Sequence, residues 1–201
     1  AALGPYSNTA TLTFEAVNAV PVQCTSSSSY LAVESPPDPI PNIEIVKYTQ
    51  GGTLPGGGDN SVFPGQDAND PNGADVPVFQ PGDTVTWSYM VTNTGEVSFA
   101  VPGGVTVTDG QPGVAPAYNA GASPACADGA LNPGDVCYWS TSGAALDLLS
   151  PPNGVTVQPN ACSGGVGADP STAYVNTGTV AVEGVTPKSD PSSYCNPPPD
   201  E

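Results

Sequence analysis

Three polar residues occupy strand positions whose parity predicts an apolar side chain. In "NIEIVKY", Lys47 has the parity of Ile43 and Ile45, and Asp109 in "GVTVTDG" and Asn176 in "YVNTGTVAVEG" likewise share the parity of valines. A buried lysine is unfavourable unless it is paired or loses its proton. Lysine, asparagine and a carboxylic acid on the inner faces of a sandwich can form an intramolecular isopeptide bond. The amine attacks the carboxamide, the acid carries protons, and ammonia leaves.

A simpler interpretation of the same residues stays open. Lys47 would extend its amine to one end of the sheet and form a salt bridge with Asp109, while the asparagines cap turns. Asn8 holds the position equivalent to Asn176 in a second copy of that strand, described below.

An aspartate-rich segment, "GGGDNSVFPGQDANDPNGAD", is a candidate calcium site. Calcium takes six to eight oxygen ligands, and a glycine-bearing turn lets several of them converge on one ion. The candidate ligands are Asp67, Asn69, Asp70, Asn72 and Asp75. The motif departs from an EF-hand loop because it contains Pro71 and has no bidentate glutamate at its twelfth position. A solvated turn without a metal is the alternative.

Five cysteines without a CxxC pair indicate disulfides in an oxidising compartment. Cys126 and Cys137 flank "ADGALNPGDV", a short connection that suits a local disulfide. Cys162 and Cys195 are then expected to form the second bond. Cys24 remains, either for an inter-subunit or inter-repeat bond or as an unpaired, buried thiol.

The charge balance excludes several classes of function. The chain has 2 Lys and Arg against 19 Asp and Glu, no histidine and a net charge of -17. Nucleic acid is therefore excluded as a partner, because duplex binding needs basic residues to neutralise phosphates. An acidic pair such as Asp67 and Asp109 is the one remaining catalytic option, and nothing else supports an enzyme. We assign no catalytic residues, expect no membrane span, and expect an extracellular, cell-surface location.

Short alternating runs predict an all-β fold. In "DTVTWSYMVTN" the side chains Val85, Trp87, Tyr89 and Val91 share one face, and the threonines share the other. The other predicted strands are "NIEIVKY", "GVTVTDG", "DVCYWSTS", "GVTVQP" and "YVNTGTVAVEG". A seventh is expected around 76–80 or 144–149, and "SGAALDLLS" is a candidate for a helical turn. These strands suffice for one immunoglobulin-like β-sandwich over 42–195.

The start of the chain repeats its end. "YSNTATLTFE" at 6–15 matches "YVNTGTVAVE" at 174–183, and "SSY" follows each copy. We therefore interpret 1–35 as the closing strand and tail of a preceding repeat, or as a donor strand for a neighbouring subunit, with Pro-rich linkers at 36–41 and 196–201. The donor-strand residues are Tyr6, Asn8, Ala10, Leu12 and Phe14. A disordered leader is the alternative.

The segments "NIEIVKYTQG", "PGDTVTWSYMVTNTGEV", "GVTVTDG", "LNPGDVCYW", "YVNTGTVAVEG" and "KSDPSSYC" resemble the immunoglobulin-like tandem repeats of large bacterial and archaeal surface proteins, whose function is otherwise undefined. The chain departs from that pattern in its long 50–80 insertion and in starting on a closing strand. The resemblance implies stalk, spacer, adhesin or coat components and carries no catalytic residues.

The sequence therefore predicts a non-enzymatic building block of an extracellular filament, stalk or surface layer. It would assemble with itself, head to tail by strand donation or as tandem repeats, and calcium is its expected cofactor. The alternative is an adhesive module that binds a glycan or a host surface. The aromatic residues argue against adhesion, because most of them fall within predicted strands and only Tyr118 clearly lies in a loop.

Overall fold

The structure is a computed structural model that describes residues 5–15, 21–31, 35–162 and 172–198. The chain divides into two compact units, Ala1–Asp38 and Pro39–Glu201, here called the N-terminal unit and the main unit. Residues 1–4, 16–20 and 32–34 of the predicted first segment, and 199–201 of the predicted C-terminal linker, lie outside the described residues.

The fold is all-β, as the alternating runs predict, and the described residues contain no α-helix. Two short 3-10 helical turns, Ala120–Ala122 and Pro124–Cys126, lie before the strand that carries Cys137. The strands are β1 (Pro5–Glu15), β2 (Pro21–Leu31), β3 (Glu44–Gln50), β4 (Thr53–Leu54), β5 (Gly58–Asp59), β6 (Thr84–Thr92), β7 (Phe99–Ala100), β8 (Val105–Asp109), β9 (Ala117–Tyr118), β10 (Ala130–Leu131), β11 (Val136–Ala144), β12 (Val157–Pro159), β13 (Thr172–Val182) and β14 (Lys188–Cys195).

Two four-stranded antiparallel sheets form the main unit. The first has the order β3-β6-β11-β9. In the second, β13 pairs with β14 along one edge and with β12 and β8 along the other. Because β3 of the first sheet packs against β13 and β14 of the second, the arrangement is compatible with a β-sandwich.

Period-2 alternation decides which side chains enter the core between these sheets. Val85, Trp87, Tyr89 and Val91 of β6 are all buried, as their parity predicts. The opposite face of β6, which carries the threonines, is not wholly exposed, since Ser88 on that face is also buried. One face of each strand therefore contributes most of the core of the main unit. A polar residue on such a face needs an explanation, and these residues are candidates for function.

Short strands complete the main unit. β4 pairs with β5, and β7 pairs with β10, each as a two-stranded ladder. Among the described residues no helix has the length and apolar character needed to cross a membrane.

The N-terminal unit is a two-stranded antiparallel hairpin. β1 pairs with β2 along its whole length, from Pro5 opposite Leu31 to Glu15 opposite Pro21. Every described side chain of both strands is exposed. The repeat at the start of the chain is thus a strand, as expected, and the structure adds a second strand where the sequence suggested only a tail.

Two sequence-based expectations about elements were wrong, and one strand was not anticipated. Around 76–80 there are only two isolated bridges, from Val78 to Thr53 and to Cys195, because two prolines and a loop interrupt any ladder. The segment "SGAALDLLS" continues β11 to Ala144 and then turns, without forming a helical turn. β14 was not anticipated as a strand because Pro191 lies inside it, which is tolerated since β14 is the edge of its sheet.

Candidate functional site

Lys47 is buried in the main unit. It lies on β3, on the same face as Ile43 and Ile45, and none of its surface is exposed. Its Nζ atom lies 5.8 Å from the centroid of the Trp87 ring and 5.5 Å from that of Tyr89. The amine is therefore enclosed by the core and does not reach the end of the sheet, so that part of the simpler interpretation was wrong.

Asp109 pairs with this lysine across the two sheets. Lys47 Nζ lies 3.1 Å from Asp109 Oδ2, and neither side chain has any exposed surface. This contact is the Lys47–Asp109 salt bridge of the simpler interpretation, here buried in the core. Two other donors hold the carboxylate: Tyr89 Oη donates to Oδ2 at 2.5 Å, and the Gln111 backbone N–H donates to Oδ1 at 2.9 Å.

Burial changes the protonation of these groups. Removal from water lowers the pKa of Lys47 to about 7, although the neighbouring Asp109 carboxylate raises it in opposition. Burial, and then the same carboxylate, raise the pKa of Tyr89 well above its ordinary value. Tyr89 thus stays a hydrogen-bond donor to Asp109, while a substantial fraction of Lys47 is a neutral amine near neutral pH.

Asn176 is the third member of the cluster. It lies on the inward face of β13, it is fully buried, and neither Nδ2 nor Oδ1 has a hydrogen-bond partner. Within the described ranges it is the one buried carboxamide with both polar atoms unpaired. Leaving such a group unpaired in a core costs on the order of 1–3 kcal/mol per polar atom, so native structures rarely keep one without a reason.

The register of the second sheet brings these residues together. Asp109 on β8 stands opposite Gly178, two residues beyond Asn176 on the same face of β13. A Cβ atom on Gly178 would lie 3.4 Å from Lys47 Cδ. The lysine stem therefore packs over Gly178, where glycine leaves room, and Asn176 lies two residues away on the same face of β13.

Two contacts to β14 fix β3 in this place. The Lys47 backbone N–H donates to Asp190 Oδ2 at 2.7 Å. The hydroxyl of Thr49, two residues further on the same face, contacts the hydroxyl of Ser192, which is the cross-strand partner of Asn176. Both contacts lie beside the cluster and hold the two sheets in a fixed register.

Sequence reasoning missed the residues that support the cluster. Tyr89 was recognised as a core residue but not as the donor to Asp109, and Asp190 was not considered. These contacts join strands far apart in the chain, so parity along one strand cannot reveal them. The signal that was available was the tyrosine hydroxyl, since a buried Tyr usually finds a polar partner.

Chemically, the cluster combines a nucleophile, an electrophile and a proton carrier away from water. A neutral lysine amine is nucleophilic, a carboxamide is a weak electrophile whose nitrogen must be protonated to leave, and a carboxyl group can move that proton. We refer to Lys47, Asp109 and Asn176 below as the buried triad.

The candidate calcium ligands lie elsewhere, in the insertion. Asp70 accepts the backbone N–H of Asn72 at 2.9 Å, as in an ordinary Asx turn, and Asp75 accepts that of Ala68, seven residues earlier, at 3.2 Å. Asn69 is exposed. In the described part of the chain, no three acidic, cysteine or histidine side chains are grouped to hold a metal ion.

Asp67 carries the clearest electrostatic perturbation of that segment. Partial burial, followed by a shared hydrogen bond with Asp75 and that residue's charge, raises its pKa. The hydrogen bond between them places the two carboxyl groups close together, as the aspartate-rich sequence suggested.

The structure joins Cys126 to Cys137 and Cys162 to Cys195. These are the pairs that the spacing suggested. Cys24 lies on β2 with its side chain exposed and is not disulfide-bonded, so the buried-thiol alternative does not apply to it.

Comparisons of the chain with protein-family models, with curated proteins and with solved structures find no match.

Proposed function

We propose that the chain is a non-enzymatic structural module of an extracellular, cell-surface assembly, built on an immunoglobulin-like sandwich and strengthened by an isopeptide bond between Lys47 and Asn176. The observation that carries this proposal is a fully buried lysine that pairs with a buried carboxylate and packs over Gly178, together with a buried carboxamide, two residues from that glycine, that has no hydrogen-bond partner. Neither an ordinary core nor an ordinary ion pair accounts for all three residues.

The reaction balances within the triad. The neutral amine of Lys47 attacks Cγ of Asn176, and Asp109 in its protonated form donates a hydrogen bond to the carboxamide oxygen as charge develops there. The carboxylate then carries a proton from the attacking nitrogen to Nδ2, the Cγ–Nδ2 bond breaks, and ammonia leaves. One N–C bond replaces another, so no oxidant, reductant or cofactor is required.

The ion pair supplies the required protonation states. Moving one proton from the Lys47 ammonium to the Asp109 carboxylate over the 3.1 Å contact yields a neutral amine and a carboxylic acid. Burial helps the amine to give up its proton, because removal from water penalises the ammonium. Tyr89, which donates to the same carboxylate oxygen, positions Asp109 and takes no covalent part.

The bond would join strands from opposite sheets. Lys47 lies on β3 and Asn176 on β13, so the crosslink would link the first strand of one sheet to the closing strand of the other. A pull on the two ends of the sandwich would then be carried by covalent bonds instead of by ladder hydrogen bonds. This suits a stalk or filament subunit, the role that the resemblance to surface-protein repeats implies.

Intact mass under denaturing and reducing conditions tests the proposal. We expect a mass lower than the sequence value by one ammonia. The chain contains only two lysines, Lys47 and Lys188, so two variants identify the amine. Lys47→Met is expected to abolish the loss, and the matched control Lys188→Met, at an exposed position, to retain it.

The lysine variants also separate the crosslink from a side reaction. Asparagine followed by glycine, as at Asn72 and Asn153, can lose ammonia by cyclising on its own backbone. A loss of that kind persists in Lys47→Met, whereas the crosslink does not. An unmodified mass, or an ammonia loss that is indifferent to Lys47, would refute the proposal.

A further inference from the structure

We infer that the β1–β2 hairpin is a second closing hairpin, which completes another β-sandwich of the same plan and brings Asn8 to that sandwich's lysine and acid for the same crosslink. This inference rests on the proposed function of the triad. It names the partner of the N-terminal unit by its chemistry: a sandwich whose own equivalent of β13 and β14 is absent.

The two hairpins share their cross-strand register, and several of their paired residues are the same. Asn176 pairs with Ser192, and Asn8 pairs with Ser28. Tyr174 pairs with Tyr194 with the ring centroids 4.7 Å apart, and the equivalent pair, Tyr6 with Tyr30, is 5.1 Å apart. A matching strand alone could be a chance repeat of β-prone residues, but a matching cross-strand register preserves a whole surface.

That surface is the one that the core buries in the main unit. The inward residues of β13 include Tyr174, Asn176, Val180 and Val182, all buried. Their equivalents on β1, including Leu12 and Phe14, are exposed. An isolated hairpin with an apolar face is marginally stable, and an uncovered apolar face of this kind indicates a partner. The matching register indicates which partner: the sheet faces that cover β13 and β14.

The serine is part of the match. In the main unit the Ser192 hydroxyl contacts Thr49 of β3, the strand that carries the lysine. Ser28 retains this hydroxyl beside Asn8. The hairpin therefore presents both the electrophile and the contact that holds the lysine-bearing strand against it.

One substitution shows that the acceptor is not simply a copy of this main unit. Ala10 stands where β13 has Gly178, and a Cβ atom at Gly178 would come within 2.7 Å of the Tyr89 ring. That ring is fully buried and hydrogen-bonded to Asp109, so moving it away from a methyl group would disturb the core and this hydrogen bond. The acceptor is therefore expected to carry a smaller side chain in place of Tyr89. In a second copy of this chain the slot is, in addition, already filled by β13 and β14.

The chemistry of the second crosslink is that of the first. The acceptor's neutral lysine attacks Cγ of Asn8, its carboxylic acid carries the proton, and the Asn8 amide nitrogen leaves as ammonia. The product would join two sandwiches covalently, and repetition of the contact would give an open chain of modules.

A fusion tests the inference on the complete chain. Residues 39–168 are placed directly before residues 1–201, so that the added sandwich lacks its own β13 and β14 and is followed by the β1–β2 hairpin. Cys162 of the added copy is replaced by serine, because Leu31 occupies the position of its partner, Cys195. Ala10→Gly is introduced to fit the Tyr89 of the added copy. We expect the intact mass to fall by two ammonias, with one crosslinked peptide joining Lys47 of the added copy to Asn8.

Matched variants give each outcome a meaning. Asn8→Ala is expected to remove one of the two losses, and restoring Ala10 is expected to reduce the second bond at least tenfold in yield. A fusion that loses one ammonia, mapped to Lys47 and Asn176, overturns this inference and leaves the proposed function intact. No loss at all overturns the proposed function first. A covalent dimer of the unfused chain through Asn8 would overturn the choice of acceptor, and an added copy that stays protease-sensitive would overturn the docking.

Discussion

The two hairpins carry the same pattern in opposite surroundings. In β13–β14, Val180 and Tyr194 have no exposed surface, whereas Leu12 is 64% exposed and Tyr30 62% exposed in β1–β2. Their ladders share one register over the positions that both of them pair. The difference lies wholly in what covers the inward face. A strand sequence therefore specifies a face and a register, and the sheet that receives it specifies burial and chemistry.

The largest effect is expected when the carboxamide is removed from each hairpin in turn, at Asn176 and at Asn8. Crosslinks that close loops of roughly 100 residues stabilise by about 4–5 kcal/mol in the chain-entropy model, so we expect Asn176→Ala to lower the melting temperature by roughly 10–15 °C. Asn8→Ala should leave the melting temperature of the 201-residue chain unchanged, because Asn8 has no lysine to meet there. Calorimetry of both variants, with intact mass as the companion measurement, provides the comparison.

Two results would break that comparison. Equal melting temperatures for Asn176→Ala and the parent would mean that the triad holds no covalent bond. A large loss in Asn8→Ala alone would mean that the N-terminal hairpin stabilises the main unit of its own chain.

Much of this contrast was predictable from sequence, and the reason is periodicity. The alternation in β6 predicted the buried face, and the same parity rule predicted that Lys47, Asp109 and Asn176 point inward although they are polar. The copy at 6–15 was visible as a sequence repeat. Periodicity shows on which face of its own strand a side chain lies.

The remainder required register between strands that are distant in sequence. The Tyr89 to Asp109 hydrogen bond, the Asp190 acceptor and the room left by Gly178 each depend on how two strands are aligned. β2 was missed because its run of serines lacks alternating apolar residues, and its pairing with β1 supplies the order. The ligands for calcium depended on loop geometry, which aspartate and glycine content alone does not determine.

Removing the disulfide at the end of β14 shows how much of the stability of the β13–β14 hairpin comes from that covalent bond and how much from the hairpin sequence. Cys195 is bonded to Cys162 over a separation of 33 residues, and the N-terminal hairpin has Leu31 at the equivalent position. We expect Cys162→Ser with Cys195→Ser to cost about 4 kcal/mol, against about 3 kcal/mol for the shorter Cys126–Cys137 loop. Urea unfolding of both double variants measures this order. A reversed order would show that loop length is not the controlling factor.

Exchanging the small residues between the hairpins should produce a smaller effect. Gly178→Ala places a methyl group against the Tyr89 ring, which is expected to cost about 1–3 kcal/mol by overpacking and to lower the yield of the crosslink. Ala10→Gly should leave the unfolding of the main unit unchanged. If Gly178→Ala unfolds and crosslinks like the parent, Tyr89 has room to move and the argument that the acceptor differs at this position fails.

The smallest expected effect is a pH dependence that only the uncrosslinked chain should show. In Asn176→Ala, Lys47 remains an amine whose pKa burial lowers to about 7, facing Asp109, Asp190 and the Tyr89 hydroxyl, whereas in the unfolded chain its pKa is about 10.4. The unfolded state therefore binds more protons between these two values, so stability should rise with pH through that window. We expect a gain of about 1 kcal/mol between about pH 6 and 8, measured by urea unfolding relative to Lys47→Met with Asn176→Ala, which has no amine to titrate. In the parent, the Lys47 nitrogen is part of an amide that does not ionise. The difference in the free energy of unfolding between the parent and Lys47→Met should therefore not change with pH over this window. If the stability of the parent rises with pH as steeply as that of Asn176→Ala, Lys47 is still a free amine in the parent. The β13–β14 hairpin then differs from β1–β2 in its burial and not in a crosslink.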